Sequence, residues 1–422
     1  MHSWIKDLFP INRSITGEGA RFTLGYIKNW LPGLLIKDVP TGYKAFDWEV
    51  PKEWNITDGY IEDNAGNKIV NFKENNLHVV GYSIPVDKWV DLDELNNHLY
   101  SLPDQPEAIP YVTSYYTERW GFCLPHNQRT KLKQGKYHVV INSKLENGVL
   151  NYGELVLRGK TKKEIFLSTY ICHPSMANNE LSGPAVLIAI GRWLQGLTDK
   201  KFTYRIIFIP ETIGSLVYLS KNLAHLKRNV YAGFNMTCLG DEREYSFLPS
   251  RLGNTISDKV AKHVLKHIDP KFKEYTWLDR GSDERQYCSP GIDLPIASIM
   301  RSKYGTFPEY HTSLDDLTFV TPIGLEGGYN AVKQAIEILE KNVFYVSSVL
   351  GEPQLGKRGL YPTLSQKGST NDIKLMMDFI SFCDGKKSLL EIASLLNCPF
   401  FNLLSISNRL LKENLIRRVE IK

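Results

Sequence analysis

Paired cysteines are missing from this sequence. Its six cysteines, at positions 123, 172, 238, 288, 383 and 398, lie far apart with no Cys-x-x-Cys pair. That spacing excludes a zinc ribbon and a disulfide-stapled scaffold and predicts free, mostly buried thiols. No segment supplies about 20 consecutive apolar residues, so no membrane-spanning helix and no membrane partner are expected. The first ten residues lack a basic stretch followed by an apolar run, so no secretory signal is expected and the cytoplasm is the expected location. Charge of one sign is not in excess either. The 51 Lys and Arg against 46 Asp and Glu give +5, scattered except near the C-terminus, which argues against nucleic-acid binding by the main body. Internal repeats and low-complexity tracts are absent.

What is present is a folded composition, 42% hydrophobic and 23% charged over 422 residues, enough for two or three domains. Residues 36–130 are rich in aromatics and turn signals, including Trp48, Trp54, Asn64-Ala65-Gly66-Asn67, Trp89, Tyr115, Tyr116 and Trp120, and read as a small β-rich unit. From 131 to 347 the rhythm changes to strands alternating with amphipathic helices. Strands are expected at Tyr137 to Ile141, Gly153 to Leu157, Glu164 to Tyr170, Tyr204 to Ile209, Val230 to Phe234 and Leu294 to Met300, with helices near 181–196, 214–224 and 324–346. That alternation implies an α/β core with a mainly parallel sheet covered on both faces, whose sites form at the carboxyl ends of strands. Residues 348–365 read as a Gly- and Pro-bearing linker, and 366–422 as three short helices and a strand, the outline of a winged helix.

Four polar clusters fall at the expected strand ends. His173 follows a buried strand and precedes a polar turn, Asn178-Asn179-Glu180-Leu181-Ser182-Gly183; it is either an imidazole aimed at a metal or a histidine satisfied by turn backbone. Glu211 comes directly after an apolar strand, where a carboxylate needs a metal, a cation or a helix terminus to cap. Arg280-Gly281-Ser282-Asp283-Glu284-Arg285 precedes the next strand, and Tyr310-His311-Thr312-Ser313-Leu314-Asp315-Asp316 follows it, with Asp315-Asp316 also readable as a helix start.

Together these clusters resemble the zinc aminopeptidases of the phosphorylase/hydrolase-like fold: a metal His, an acid-bearing turn, Glu-Glu-x-Gly, then Tyr-His-Thr-x-x-Asp. More closely, the chain is similar to bacterial polysaccharide-biosynthesis proteins with an aminopeptidase-like domain, through Phe9-Pro10-Ile11-Asn12-Arg13-Ser14, Trp120-Gly121-Phe122-Cys123-Leu124, His126-Asn127-Gln128, Cys172-His173-Pro174-Ser175 and Gly281 to Gln286. The resemblance implies a discontinuous core of 1–35 and 131–347, an insertion at 36–130 and a C-terminal winged helix. It also implies substitutions at the metal. Asn179 stands where the family has its bridging acid, Thr212 where it has a ligand Glu, and Thr237 near its later ligand Asp. Neutral ligands hold zinc weakly, so one zinc ion is expected rather than two, on His173 and His311 with an acid from Glu180, Asp283 or Glu211.

The resemblance thus implies a zinc-dependent aminopeptidase or related amide hydrolase acting on a small peptide or amide. Glu211 is the expected general base and Tyr310 the expected oxyanion donor. Asp283 or Glu284 would pair with a substrate amine, and His126 and Asn179 would contact substrate. The loss of ligands motivates an alternative, a catalytically reduced ligand-binding or scaffold protein linked to polysaccharide biosynthesis. The C-terminal domain is expected to make a homo-oligomeric or protein contact in preference to nucleic acid, because Glu391, Glu413 and Glu420 dilute its basic residues.

Overall fold

Glu164–Tyr170 is buried along its whole length, as is Ile296–Met300, and Thr203–Ile209 is buried except at Arg205. Continuous apolar runs of this kind suit strands covered on both faces. The computed structural model describes residues 1–360 and 369–419. It places these strands in the middle of an eight-stranded sheet ordered Leu35–Pro40, Val149–Leu157, Thr203–Ile209, Glu164–Tyr170, Val230–Asn235, Ile296–Met300, Ser246–Leu248, Lys273–Glu274. The four central strands run parallel, and their outer neighbours Val149–Leu157 and Ser246–Leu248 run antiparallel to them. Adjacent residues of one strand show the two covered faces. Ile206 lies against Gly191 of the helix Ser182–Gly196, whereas Ile207 packs with Ile213, Leu216 and Val217 of the helix Ile213–Asn229. This is the expected α/β architecture, a mixed sheet with helices on both faces.

Two strands lie in a different sheet from the one expected. Leu35–Pro40 pairs with Val149–Leu157 in the core sheet, although most of it falls in the range read as the insertion. Lys136–Glu146, read as a core strand, instead lies inside a four-stranded sheet with Lys68–Asn71, Glu53–Asp63 and Val86–Asp91. Alternation identifies a strand but not its partner. Here Tyr137, Val139 and Ile141 are buried with Ile61, Val70, Val90 and Phe122, so the small sheet claims the segment.

The chain divides into two units, 1–258 with 272–330 and 259–271 with 331–422. In the second, Phe344–Ser347, Asp384–Ser388 and Ile416–Val419 form an antiparallel sheet accompanied by the helices Ser369–Ser381, Leu389–Leu395 and Phe400–Lys412. The helix expected to reach 346 ends at Lys341, because Val343-Phe344-Tyr345-Val346 is a β-branched and aromatic run that takes the central place in this sheet. The expected linker from 361 onward, residues 366–368 and residues 420–422 lie outside the described residues. All six cysteines are free and buried. Among the described residues no single helix is long and apolar enough to cross a membrane.

Candidate active site

The parallel strands deliver their carboxyl ends to one edge of the sheet. Past Ile209, the backbone turns sharply at Thr212, whose φ of 62° and ψ of −79° are costly for a β-branched residue. The turn is held by the Thr212 N–H, which donates to Asp283 Oδ1 at 2.8 Å. His173 follows Glu164–Tyr170, and the turn behind it is closed by Gly183, where a Cβ would stand 2.4 Å from the Met236 carbonyl. His311 also has a positive φ, 57°. Its carbonyl accepts from the Tyr111 N–H at 2.9 Å, and the Tyr310 ring stacks on its imidazole at 3.9 Å.

His173 sits between two carboxylates. Its Nδ1 is 2.7 Å from Glu180 Oε2, and its Nε2 is 3.6 Å from Glu211 Oε2. The other Glu180 oxygen lies 3.6 Å from Arg13 Nε, and the buried Arg13 donates to the carbonyls of His173 at 2.9 Å and Leu8 at 2.6 Å. Burial works against charge on His173, while Cys172 and Glu180 work for it and prevail, raising it well above the ordinary histidine value. Burial pushes Cys172 up to about 11, so at neutral pH it is a thiol. His311 shows the opposite. Burial, and then the charge of His173, depress it to about 3 and keep it neutral. Burial raises Glu211 against the pull of His173, and Ser282 Oγ donates to Glu211 Oε1 at 2.9 Å. His173, Glu211 and His311 share a cavity of about 360 Å³ walled by Trp48, Tyr111, Tyr115 and Tyr116.

Residues 2–342 match the family described as domain of unknown function DUF4910, and residues 343–418 match a winged helix-turn-helix family. The chain belongs to the DUF4910 family. A Clostridium acetobutylicum relative named as a polysaccharide biosynthesis protein with an aminopeptidase-like domain is 45% identical over 398 residues, 93% of this chain and 90% of that one. A crystal structure from the same species, classed as a peptidase, matches with a TM-score of 0.93 and 43% identity, covering 99% of this chain and 96% of that one. A Bacillus subtilis zinc aminopeptidase matches with a TM-score of 0.58 and 13% identity over 80% of this chain and 93% of that one, which gives the DUF4910 core its aminopeptidase fold.

The donor set of this DUF4910 chain does not fit two divalent ions. Asn179 accepts from the Tyr170 hydroxyl through its carbonyl at 2.7 Å and its side-chain oxygen at 3.0 Å, and Thr237 Oγ1 joins the same network at 2.6 Å from Tyr170 Oη. Thr212 Oγ1 accepts from the Arg285 guanidinium at 2.7 Å, so a cation already sits at that position. One ion does fit. The rings of His173 and His311 are 5.4 Å apart between centroids, close enough for two imidazoles with metal–nitrogen bonds of about 2.0–2.1 Å. The neutral form of His311 is the form that ligates. Among the described residues, the group of three ligand-type side chains with donor atoms within 4.8 Å of one another is Cys172, His173 and Glu180. There Nδ1 of His173 is engaged by Glu180, the arrangement that orients a ligand histidine and leaves Nε2 on the Glu211 side.

Glu211, His173 and His311 therefore come together, with Tyr310 against His311. Other expected site residues do not join them. Glu180 acts on Nδ1 of His173 and is not placed to share its Nε2 ligand. Asp283 is buried beneath Thr212, bonded to the Thr212 N–H and Ser215 Oγ and pushed up to about 8 by burial and by Glu211, and it does not line the cavity. Glu284, expected to meet a substrate amine, is buried and accepts from the Gly281 and Ser282 amides, Tyr304 and Asn235. Asn179 is buried in its network. His126 pairs with Ser101 Oγ at 3.0 Å in the helix His126–Arg129 and does not line the cavity. Asp315 starts no helix. Its carboxylate accepts from the Asn178 and Asn179 amides at 2.6 and 2.8 Å, fastening the turn after His173. Sequence reasoning missed Arg13, Tyr111 and Arg285. Arg13 and Arg285 lie inside motifs that carried the family resemblance, and that was the available signal; Tyr111 carried none.

Proposed function

We propose that this chain is an amide hydrolase in which Glu211 is the general base. The observation that supports this reading is the pocket-lining Glu211 carboxylate 3.6 Å from His173 Nε2, with His311 lining the same cavity. Glu211 takes the proton of a water whose oxygen adds to the amide carbonyl carbon. As the C–N bond breaks, the same carboxyl group returns that proton to the departing nitrogen, giving a carboxylic acid and an amine. One zinc ion, held by His173 and His311, would polarise the carbonyl and acidify the water. Glu180 and Arg13 fix the His173 ring, and Ser282 fixes the Glu211 carboxylate. Tyr310, raised above the usual tyrosine value by burial, keeps its proton and is the donor assigned to the developing oxyanion.

A second reading, a ligand-binding or scaffold protein that has lost turnover, draws support from the guanidinium on Thr212. A panel of aminoacyl, N-acylamino acid and N-acyl-sugar amides separates the two. The hydrolase reading expects release of amine from at least one of them by the wild-type chain and a loss of about 10²–10⁴-fold in Glu211→Gln. Tight binding without turnover by the wild type decides for the scaffold.

A further inference from the structure

The charges that line the cavity are unusual for a site acting on free N-termini. Glu211 is its single lining carboxylate, and Arg285 its single lining Arg or Lys among the described residues. Arg285 is exposed, donates to the neutral Thr212 hydroxyl, and has no carboxylate within 4.0 Å among the described residues. A substrate ammonium in this cavity would have to share the carboxylate assigned as base, and would face the Arg285 guanidinium. The acids that might have received it, Asp283 and Glu284, are buried and engaged with protein groups. The cavity lining is otherwise rich in aromatics. Trp48 and Tyr116 are 41% and 55% exposed and stand edge to face with centroids 6.2 Å apart, while the Tyr111 and Tyr115 hydroxyls bond to each other at 3.1 Å. A cavity lined by a guanidinium and by aromatic rings suits a compound with a ring or apolar body and an anionic group.

Building on the amide-hydrolase reading, we infer that the substrate is an N-acylated compound with no free amine, carrying a carboxylate or phosphate that seats on Arg285. Arg285 is then the residue that sets specificity, and the site is a deacylase site in preference to an aminopeptidase site. Hydrolysis of such a compound consumes one water and yields the free acid and an amine that keeps the anionic group.

The test measures binding by isothermal titration to the full chain carrying Glu211→Gln, with three probes: N-acetylphenylalanine, N-acetylglucosamine 1-phosphate and phenylalaninamide. At least one anionic probe is expected to bind about tenfold or more tighter than phenylalaninamide. Which of the two does so distinguishes a carboxylate from a sugar phosphate. Adding Arg285→Gln is expected to abolish that preference without weakening phenylalaninamide, and Arg285→Lys to restore part of it. A melting temperature equal to that of the Glu211→Gln parent reports that the double variant is folded. Equal or tighter binding of phenylalaninamide, no binding of either anion, or a preference that survives Arg285→Gln overturns the inference. Anion binding at Arg285 without turnover by the wild type would instead remove the hydrolase reading and leave the anion site. Turnover of phenylalaninamide with no anion preference would do the reverse.

Discussion

Nδ1 of His173 is hydrogen-bonded to Glu180 at 2.7 Å, and Glu180 is in turn neutralised by the buried guanidinium of Arg13. The imidazole is thereby fixed in orientation, with one nitrogen engaged and the other turned toward Glu211. Replacing Glu180 by Gln removes the carboxylate but keeps the shape. We expect a loss of about 3–5 kcal/mol of stability, because Arg13 is left as an unpaired buried charge. We also expect metal affinity to fall by about 10–100-fold. Denaturant unfolding and a zinc titration on the same preparation check the two effects.

Metal content gives a second prediction. Elemental analysis of the purified chain should find no more than one zinc per molecule, reduced by His173→Ala or by His311→Ala alone. Two equivalents of zinc would contradict the account given for Asn179, Thr212 and Thr237.

Gly183 should not tolerate a side chain. A Cβ there meets the Met236 carbonyl at 2.4 Å and Thr169 Oγ1 at 2.5 Å, both held in hydrogen-bonded structure. Gly183→Ala is expected to cost about 1–3 kcal/mol and to lower the melting temperature. A variant as stable as the wild type would show that the turn after His173 can relax.

The winged-helix unit carries its own pH dependence. The Phe400 N–H donates to His263 Nε2 at 3.0 Å, and His263 Nδ1 faces Ser394 Oγ at 3.0 Å, a geometry that requires the neutral ring. Burial, then the charges of His267 and Lys266, lower His263 from 6.5 to about 4. Because the folded value lies below the unfolded one, this contribution is complete above pH 6.5 and is lost as pH falls toward 4. The loss should be on the order of 3 kcal/mol. Denaturant titrations across that range should show it, and His263→Gln should flatten it. Hydrogen exchange at the Phe400 amide should quicken over the same interval in the wild type.

Much of this molecule was legible in its sequence because apolar periodicity and order of motifs are local properties. Glu164–Tyr170 and Thr203–Ile209 stand where their buried runs predicted, and His173, Glu211 and His311 meet as a motif order implies. Sheet membership was not legible. Nothing in the local pattern of Leu35–Pro40 or Lys136–Glu146 names a partner strand; the former pairs beside Leu150 and the latter is buried with Ile61. Side-chain partners were equally hidden. Asp283, Glu284 and Arg285 are neighbours in one short motif, yet two are buried under hydrogen bonds and the third faces the cavity. Charge alone could not tell the structural acids from a binding group.

The hydrogen bond from the Tyr111 N–H to the His311 carbonyl joins a residue of the inserted region to a histidine of the core. Two further bonds between Ile109 and Ser313 make it a clasp. The α/β core by itself thus holds only part of the candidate site in place. The positive-φ loop at His311 has its backbone donors and acceptors met from outside the core, so excising residues 41–148 would leave a sheet with a misplaced histidine. Loss of the insertion would remove these three bonds and leave His311 without the segment that fastens its loop.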